Sequence, residues 1–212
     1  MNEQLGMMIR ARPKLAGPWF AGFEHRDIRR IIGSPDASGA LSVAQVCHAL
    51  HLTIIDAATP NVALELQYGP IGQFARFNDP ERVAHATRTA TTALERGERY
   101  EAVAALCERM SYMRVAAAST LLAWSCSTDM PTLTEKTWRA YSWFAGMAGT
   151  EDGAKQAMGE KQDYRNYEAY ERNINSFVGS VENPGFSAME VSDWMRGFSI
   201  SWLATKQGSR VA

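Results

Sequence analysis

Hydrophobic residues recur at steps of three and four along nearly the whole chain, which is the period of an amphipathic α-helix. The clearest such run extends from Tyr100 to Trp124 and predicts one continuous helix in the centre of the core. Other runs of the same period predict helices over residues 41–58, 80–97 and 151–178. No alternating run is long enough to predict a β-sheet. We therefore expect an all-α protein, a multi-helix bundle with a C-terminal helical hairpin.

Capping residues mark several of the predicted helix starts. Asp79 and Pro80 predict one start, because aspartate accepts hydrogen bonds from the first free N–H groups and proline fits the first helical position. Ser42 is expected to cap the helix that follows it. The stretches Thr-Leu-Thr-Glu at 132–135 and Ser-Ala-Met-Glu at 187–190 have the spacing of a capping box.

The predicted domain organisation is a helical body over residues 1–150 and a C-terminal hairpin module over residues 151–212. Three glycines interrupt the helical period around that boundary, Gly146, Gly149 and Gly153. A chain of 212 residues buries roughly two-thirds of its unfolded surface, so it needs no disulfide or metal to stay folded.

Composition and charge narrow the classes of function. The chain is 46% hydrophobic and 21% charged, which is ordinary for a globular protein, and its formal net charge is −1. Proteins that track phosphates concentrate basic residues on one face, whereas only a modest basic cluster lies near this N-terminus. Extensive nonspecific binding to nucleic acid is therefore disfavoured, although a local contact with RNA or DNA stays open.

Membrane and secretion signals are missing from the sequence. No stretch approaches twenty uninterrupted apolar residues, and the N-terminus lacks the basic and apolar regions of a secretion signal. The cysteines are widely spaced and have apolar neighbours, Cys47, Cys107 and Cys126. Such cysteines are typical of small buried side chains in a reducing compartment, so we expect a cytoplasmic protein without a membrane contact.

The clearest motif lies near the C-terminus. Tyr170, Asn183-Pro184 and the stretch Asp-Trp-Met-Arg-Gly-Phe at 193–198 fall in order on two predicted helices joined by a short turn. Residues 170–206 resemble the ribosome modulation factor-like modules of small bacterial and phage proteins. Those modules consist of a helix, an Asn-Pro-aromatic turn and a helix with a Trp-x-x-Gly-aromatic pattern.

The resemblance implies a helical hairpin and a binding role. Pro184 bars the first helix from continuing, and Gly197 is expected to let the two helices approach closely with Trp194 and Phe198 in their seam. By this resemblance the chain would be an accessory protein of a phage or mobile element that binds and modulates a host macromolecular complex. The ribosome is one such complex.

Aromatic residues are dense in the C-terminal half of the chain. Trp138 and Tyr141 lie on a different face of one predicted helix from Trp143 and Phe144, and a helix that is aromatic on several faces is either deeply buried or shared with a partner. We expect a protein partner to be contacted by Trp138, Trp143, Phe144, Trp194, Gly197 and Phe198.

The alternative is a nucleic-acid-binding regulator with a helix-turn-helix-like segment at 41–61. Its apolar spacing fits that motif if a turn forms near His51 and a recognition helix begins at Ile54. Phosphate contacts would come from the basic cluster on the preceding segment, Arg26, Arg29 and Arg30.

The sequence contains no motif of a catalytic site. It has no Gly-x-Ser-x-Gly, no phosphate-binding Gly-x-x-x-x-Gly-Lys and no dinucleotide-binding Gly-x-Gly-x-x-Gly. Cys47 and His51 share a helix face, but zinc needs three or four ligands. An enzyme would require a pocket that places His25, His48 or His51 beside a carboxylate. We expect a non-enzymatic protein without a metal or cofactor.

Overall fold

The computed structural model describes residues 2–11, 25–56, 70–126, 129–146 and 164–199, and every regular element in these ranges is helical. The expectation of an all-α, multi-helix protein is confirmed. None of the helices in these ranges is long and apolar enough to cross a membrane. The α-helices are α1 (Asn2–Ala11), α2 (His25–Ile32), α3 (Val43–Asp56), α4 (Pro70–Phe77), α5 (Pro80–Glu95), α6 (Arg99–Arg109), α7 (Val115–Ser125), α8 (Glu135–Gly146), α9 (Tyr167–Val178) and α10 (Ala188–Phe198).

The helices belong to two compact units. The hairpin unit comprises Met1–Gly22, Asp129–Gln162 and Ala169–Ala212, and so contains α1, α8, most of α9, and α10. The six-helix unit comprises Phe23–Thr128 and Asp163–Glu168, and contains α2 to α7. The predicted boundary between residues 150 and 151 lies outside the described residues. Helix α8 belongs to the same unit as the hairpin, although it precedes that boundary.

In the six-helix unit, α5 and α6 form a close pair built on small side chains. The start of α5 is as predicted, because the Asp79 carboxylate accepts the N–H of Arg82 at 2.8 Å and Pro80 occupies the first turn. Gly97 connects the two helices at φ +77°, a left-handed conformation that suits glycine. Buried alanines on both helices let their backbones approach, Ala86, Ala90, Ala93, Ala102 and Ala105.

Helix α3 packs against α2, α4, α5 and α7, which makes it a central element of the six-helix unit. It begins in a capping box, since Ser42 Oγ accepts the N–H of Gln45 at 3.2 Å and Gln45 Oε1 accepts the N–H of Ser42 at 2.9 Å. The helix then runs unbroken through His51, so the turn of the helix-turn-helix prediction is wrong. Such a turn needs a residue suited to positive φ, and His51 is not one. The end of that segment, residues 57–61, lies outside the described residues.

The single helix predicted from Tyr100 to Trp124 is also wrong, because α6 ends at Arg109 and α7 begins at Val115. Between them Tyr112 adopts φ +62°, which no helix can contain. Met110 and Met113 in this loop are buried, so the hydrophobic period continues across the break. The hydrophobic spacing therefore indicates that these positions are buried, and it does not indicate that the helix continues through them.

The α6–α7 loop is held by the buried amide of Asn78, which is 2% exposed. Asn78 Oδ1 accepts the N–H of Ser111 at 2.8 Å, and Asn78 Nδ2 donates to the carbonyl oxygens of Ser111 and Phe74 at 2.8 Å each. One side chain therefore fixes the C-terminal end of α4 to the loop between α6 and α7.

In the hairpin unit, the turn between α9 and α10 is built on Asn183. Its Nδ2 donates to the carbonyl oxygens of Val178 at 3.0 Å and Phe186 at 2.8 Å, and its Oδ1 accepts the N–H of Phe186 at 2.9 Å. The capping box predicted at 187–190 is confirmed. Helix α10 packs chiefly against α8, so Trp194 and Phe198 do not lie in a seam between α9 and α10 as expected.

The start of α8, in the hairpin unit, differs from the prediction. The capping box predicted at 132–135 is wrong in register, because Thr134 Oγ1 accepts the N–H of Thr137 at 3.2 Å and Thr137 Oγ1 accepts the N–H of Thr134 at 2.6 Å.

The hairpin turn lies directly on α1. A Cβ atom at Gly6 would be 2.6 Å from Glu182 Cβ, so only glycine permits this approach.

We predict that Asn78→Ala lowers the free energy of unfolding by about 2–4 kcal/mol, because it removes three hydrogen bonds and leaves polar backbone groups of the loop unpaired. Urea denaturation followed by circular dichroism measures the change. Thr89→Ala is the matched control, since the Thr89 hydroxyl bonds only the carbonyl of His85 in an exposed position and should cost less than about 0.5 kcal/mol. Equal shifts for the two variants would contradict the role of Asn78.

Candidate functional site

Three of the aromatic residues predicted to contact a partner lie in the interior of the hairpin unit. Phe144, Trp194 and Phe198 are each fully buried. The ring centroid of Phe144 lies 5.9 Å from that of Trp194 and 5.1 Å from that of Phe198, and Trp194 stacks on Phe198 at 5.4 Å. These three rings hold α8 against α10 and are not accessible at the surface.

The remaining predicted contact residues are partly exposed. Trp143 is half-buried and lies 4.9 Å from Phe144 and 5.2 Å from Phe198 between ring centroids. Trp138 is half-buried at 5.4 Å from Tyr141, and Gly197 is also partly exposed. The two tryptophans therefore border the buried cluster, and their positions are fixed by it.

Polar groups lie beneath these aromatic rings. The Tyr170 hydroxyl donates to the carbonyl of Thr132 at 3.1 Å and lies 3.1 Å from Ser192 Oγ, which in turn accepts the Thr132 N–H at 3.2 Å. Burial raises the pKa of the Tyr170 hydroxyl far above its ordinary value. The neutral hydroxyl is thus a structural group that joins α9, α10 and the segment before α8.

Charged residues of the C-terminal motif are buried as well. Asp193 is 5% exposed and Arg196 is 8% exposed, both on α10. Burial lowers the pKa of Arg196 to about 10. The polar positions of this motif lie in the interior of the hairpin unit and do not form a basic surface.

The basic cluster predicted for phosphate binding is divided in the structure. Arg29 is half-buried, and its Nη2 donates at 3.5 Å to the carbonyl of Ala123 near the C-terminal end of α7. A guanidinium is favourable there because the last carbonyls of a helix lack partners and carry partial negative charge. Arg30 is exposed, and the side chain of Arg26 lies outside the described residues.

A surface that the sequence analysis missed lies on the six-helix unit, where the end of α4 meets the α6–α7 loop. Phe77 is 47% exposed and Tyr112 is 51% exposed, and their ring centroids are 5.4 Å apart with 32° between the ring planes. Exposed guanidinium groups lie in the same segments. We define the arginine–aromatic surface as Arg76, Phe77, Arg82, Arg109, Tyr112 and Arg114.

The arginines of this surface are positioned by local contacts. Arg76 Cζ lies 5.6 Å from the centroid of the Phe77 ring, within the range of a cation–π interaction. Arg82 Nε donates to the carbonyl of Arg109, the last residue of α6, and Arg109 Nη1 lies 3.2 Å from His85 Nδ1. Arg82 thus joins α5 to the C-terminal end of α6, directly before the loop that carries Tyr112.

The sequence does hold a weak signal of this surface. Arg76 directly precedes Phe77, and Tyr112 is followed two residues later by Arg114, so each exposed ring has an arginine close by. The two pairs are separated by more than thirty residues, and only the fold brings them together. A single helix from Tyr100 to Trp124 would have placed Tyr112 on a helix face and hidden this relationship.

The described part of the chain contains neither a metal site nor a reactive thiol. In this part no three side chains among histidine, cysteine, aspartate and glutamate lie close enough to hold a metal ion. Cys47, Cys107 and Cys126 are half-buried and form no disulfide, and burial raises the pKa of the Cys47 and Cys126 thiols. Raised thiol pKa values disfavour the reactive thiolate.

No protein-family model, no curated protein and no solved structure matches this chain. Function is therefore inferred from the chain's own geometry.

We predict that Tyr170→Phe flattens the dependence of stability on alkaline pH. Tyrosine in the unfolded chain ionises at about pH 10, whereas folded Tyr170 keeps its proton. The native chain therefore loses stability as the pH rises above that value. The free energy of unfolding of the variant should fall by about 1.4 kcal/mol less per pH unit between about pH 10 and 12. Denaturant titrations at several pH values measure both slopes. Parallel curves would contradict the prediction, and every other titrating group is common to both proteins.

Proposed function

We propose that this chain is a non-enzymatic binding protein that occupies a surface on a larger macromolecular complex. The observation that carries the proposal is the arginine–aromatic surface. Large rings held at the surface next to guanidinium groups are the side chains that dominate binding energies at interfaces. Phenyl, phenol and guanidinium groups in this arrangement recognise a partner by stacking, hydrogen bonding and charge.

Positioning of this surface before binding supports the same proposal. The Phe77 and Tyr112 rings contact each other, and Asn78 ties the two backbone segments that carry them. A surface that is already ordered loses little conformational entropy when a partner binds, so more of the contact energy appears as affinity.

The biological setting we propose is that of an accessory protein of a phage or mobile element, acting in the cytoplasm on a host complex. It is supported by the resemblance of residues 170–206 to ribosome modulation factor-like modules. Residues beyond Ser199 in that segment lie outside the described residues. Within the described part, the tryptophan and phenylalanine of the motif serve the interior, so the binding surface is proposed elsewhere on the chain.

Trp138 and Trp143 are proposed as a second contact, on the hairpin unit. Each is half-buried and held against a buried ring, so part of each residue stays exposed while a ring contact orients the indole. Tryptophan in this setting contributes large contact area at low cost in conformational entropy. We propose a protein as the partner of this contact, because tryptophan is enriched at protein–protein interfaces.

A pull-down from host lysate with the tagged full chain, with and without nuclease, tests the proposal. We expect stoichiometric components of one complex to be captured by the native chain and lost with Arg114→Glu. Arg96→Glu is the matched control, because Arg96 is an exposed arginine of the same unit whose partner is Glu98 at 2.7 Å. Capture that is identical for Arg114→Glu and the native chain would overturn the role of the surface.

The same assay tests the tryptophans separately. We expect Trp143→Ala to weaken a contact that survives nuclease, since such a contact is made with protein. Circular dichroism and urea denaturation establish that the variant is folded, because Trp143 also touches Phe144 and Phe198. Unchanged capture by a folded Trp143→Ala variant would remove this helix from the proposal.

A further inference from the structure

We infer that the arginine–aromatic surface binds single-stranded nucleic acid, with bases stacked on Phe77 and Tyr112 and phosphates held by the surrounding arginines. This inference rests on the proposed function and names the chemical class of the partner at that surface. It concerns the six-helix unit and is independent of the C-terminal motif.

The aromatic pair has the properties of a base-stacking platform. About half of the surface of each residue is exposed, at 47% for Phe77 and 51% for Tyr112, and the rings are inclined by only 32°. Each base has a flat π-face that gains free energy on an aromatic side chain, whatever the base is. Two rings from different segments provide successive stacking positions for an extended strand.

The guanidinium groups provide the complementary charge. In the ranges that the structure describes, no carboxylate lies within salt-bridge distance of Arg76, Arg82, Arg109 or Arg114. Arg82 and Arg109 are fixed by hydrogen bonds to the α6 carboxyl end and to His85. Their remaining N–H groups are directed at no acidic residue, so a phosphate is a favourable ligand for them.

Two of the three acidic residues nearest in sequence are hydrogen-bonded within the fold. Asp79 accepts the backbone N–H of Arg82 at 2.8 Å, and Glu108 accepts the Tyr164 hydroxyl at 2.8 Å. Glu81 lies in the first turn of α5, where the helix dipole favours a negative charge. The overall net charge of −1 therefore does not describe this surface, whose exposed cations outnumber the carboxylates available to them.

A single strand fits this surface better than a duplex does. The faces of the bases in a duplex are covered by their neighbours, so exposed rings gain nothing from them without unstacking. Reading a duplex through the major groove requires a projecting element such as a recognition helix, and the one expected after His51 is replaced by the continuous helix α3. The same side chains would recognise a protein partner only if that protein offered paired carboxylates. Binding to such a protein is the competing outcome of the test.

Fluorescence anisotropy of the purified full chain tests the inference, with labelled oligo(dT), oligo(U) and a mixed-sequence duplex, each of about 20 nucleotides per strand. We expect the single strands to bind more tightly than the duplex. Tyr112→Asn should weaken binding roughly tenfold, because it removes one stacking ring. Asparagine is chosen because it tolerates the φ of +62° at this position. Relative affinities for oligo(dT) and oligo(U) distinguish DNA from RNA.

Charge and aromatic controls make the assay specific. Arg114→Gln should lower the slope of log affinity against log salt by about 0.7, the value for one phosphate contact on a single strand, whereas Arg96→Gln should not. Phe77→Tyr should bind like the native chain, and Phe77→Ala should bind as weakly as Tyr112→Asn. Duplex binding as tight as single-strand binding, or native affinity in Tyr112→Asn, would overturn the inference.

The two proposals fail in different ways. One result is capture that resists nuclease and depends on Arg114, with no oligonucleotide binding at low salt. This result would support the proposed function and overturn the single-strand inference. Oligonucleotide binding that depends on Tyr112, together with an empty pull-down, would support the inference and overturn the assignment to a host complex.

Discussion

The six-helix unit depends on one buried amide that joins two distant segments. Asn78 is the only residue described that bonds both the C-terminal end of α4 and the loop between α6 and α7. A buried amide must satisfy its donor and acceptor groups, and Asn78 does so with backbone groups of Ser111 and Phe74. The break between α6 and α7 and the meeting of Phe77 with Tyr112 both follow from these bonds.

Local signals in the sequence were sufficient for the helical class and for the starts of α3, α5 and α10. Asp79, Ser42 and the box at 187–190 act within one turn of their own helices, so their function is independent of the rest of the fold. The shifted box before α8 shows the limit of this reasoning. The Thr132 N–H donates to Ser192 Oγ in a tertiary bond, and the reciprocal bonds at the start of α8 form between Thr134 and Thr137 instead.

The candidate site was harder to predict, because periodicity measures burial and a buried position looks the same in helix and loop. Met110 and Met113 continue the hydrophobic spacing where the chain leaves the helix. Aromatic residues on several faces of α8 were equally ambiguous, since both an interior and an interface require them. Phe144 proved to be interior, whereas Trp138 and Trp143 are partly exposed. The spacing of residues in the sequence encodes neither the difference between helix and loop nor the difference between an interior and a surface aromatic residue.

Tyr112 is where local preference and the observed structure disagree most. A tyrosine at φ +62° is disfavoured relative to glycine or asparagine, and its ring is half exposed, so it recovers little from burial. Stability alone would therefore favour another residue at this turn. Local rules are most often broken at functional sites, where surrounding contacts such as the Asn78–Ser111 bonds hold the unfavourable conformation. An exposed ring in a strained turn, beside a second exposed ring and several arginines, is consistent with a side chain retained for what it binds.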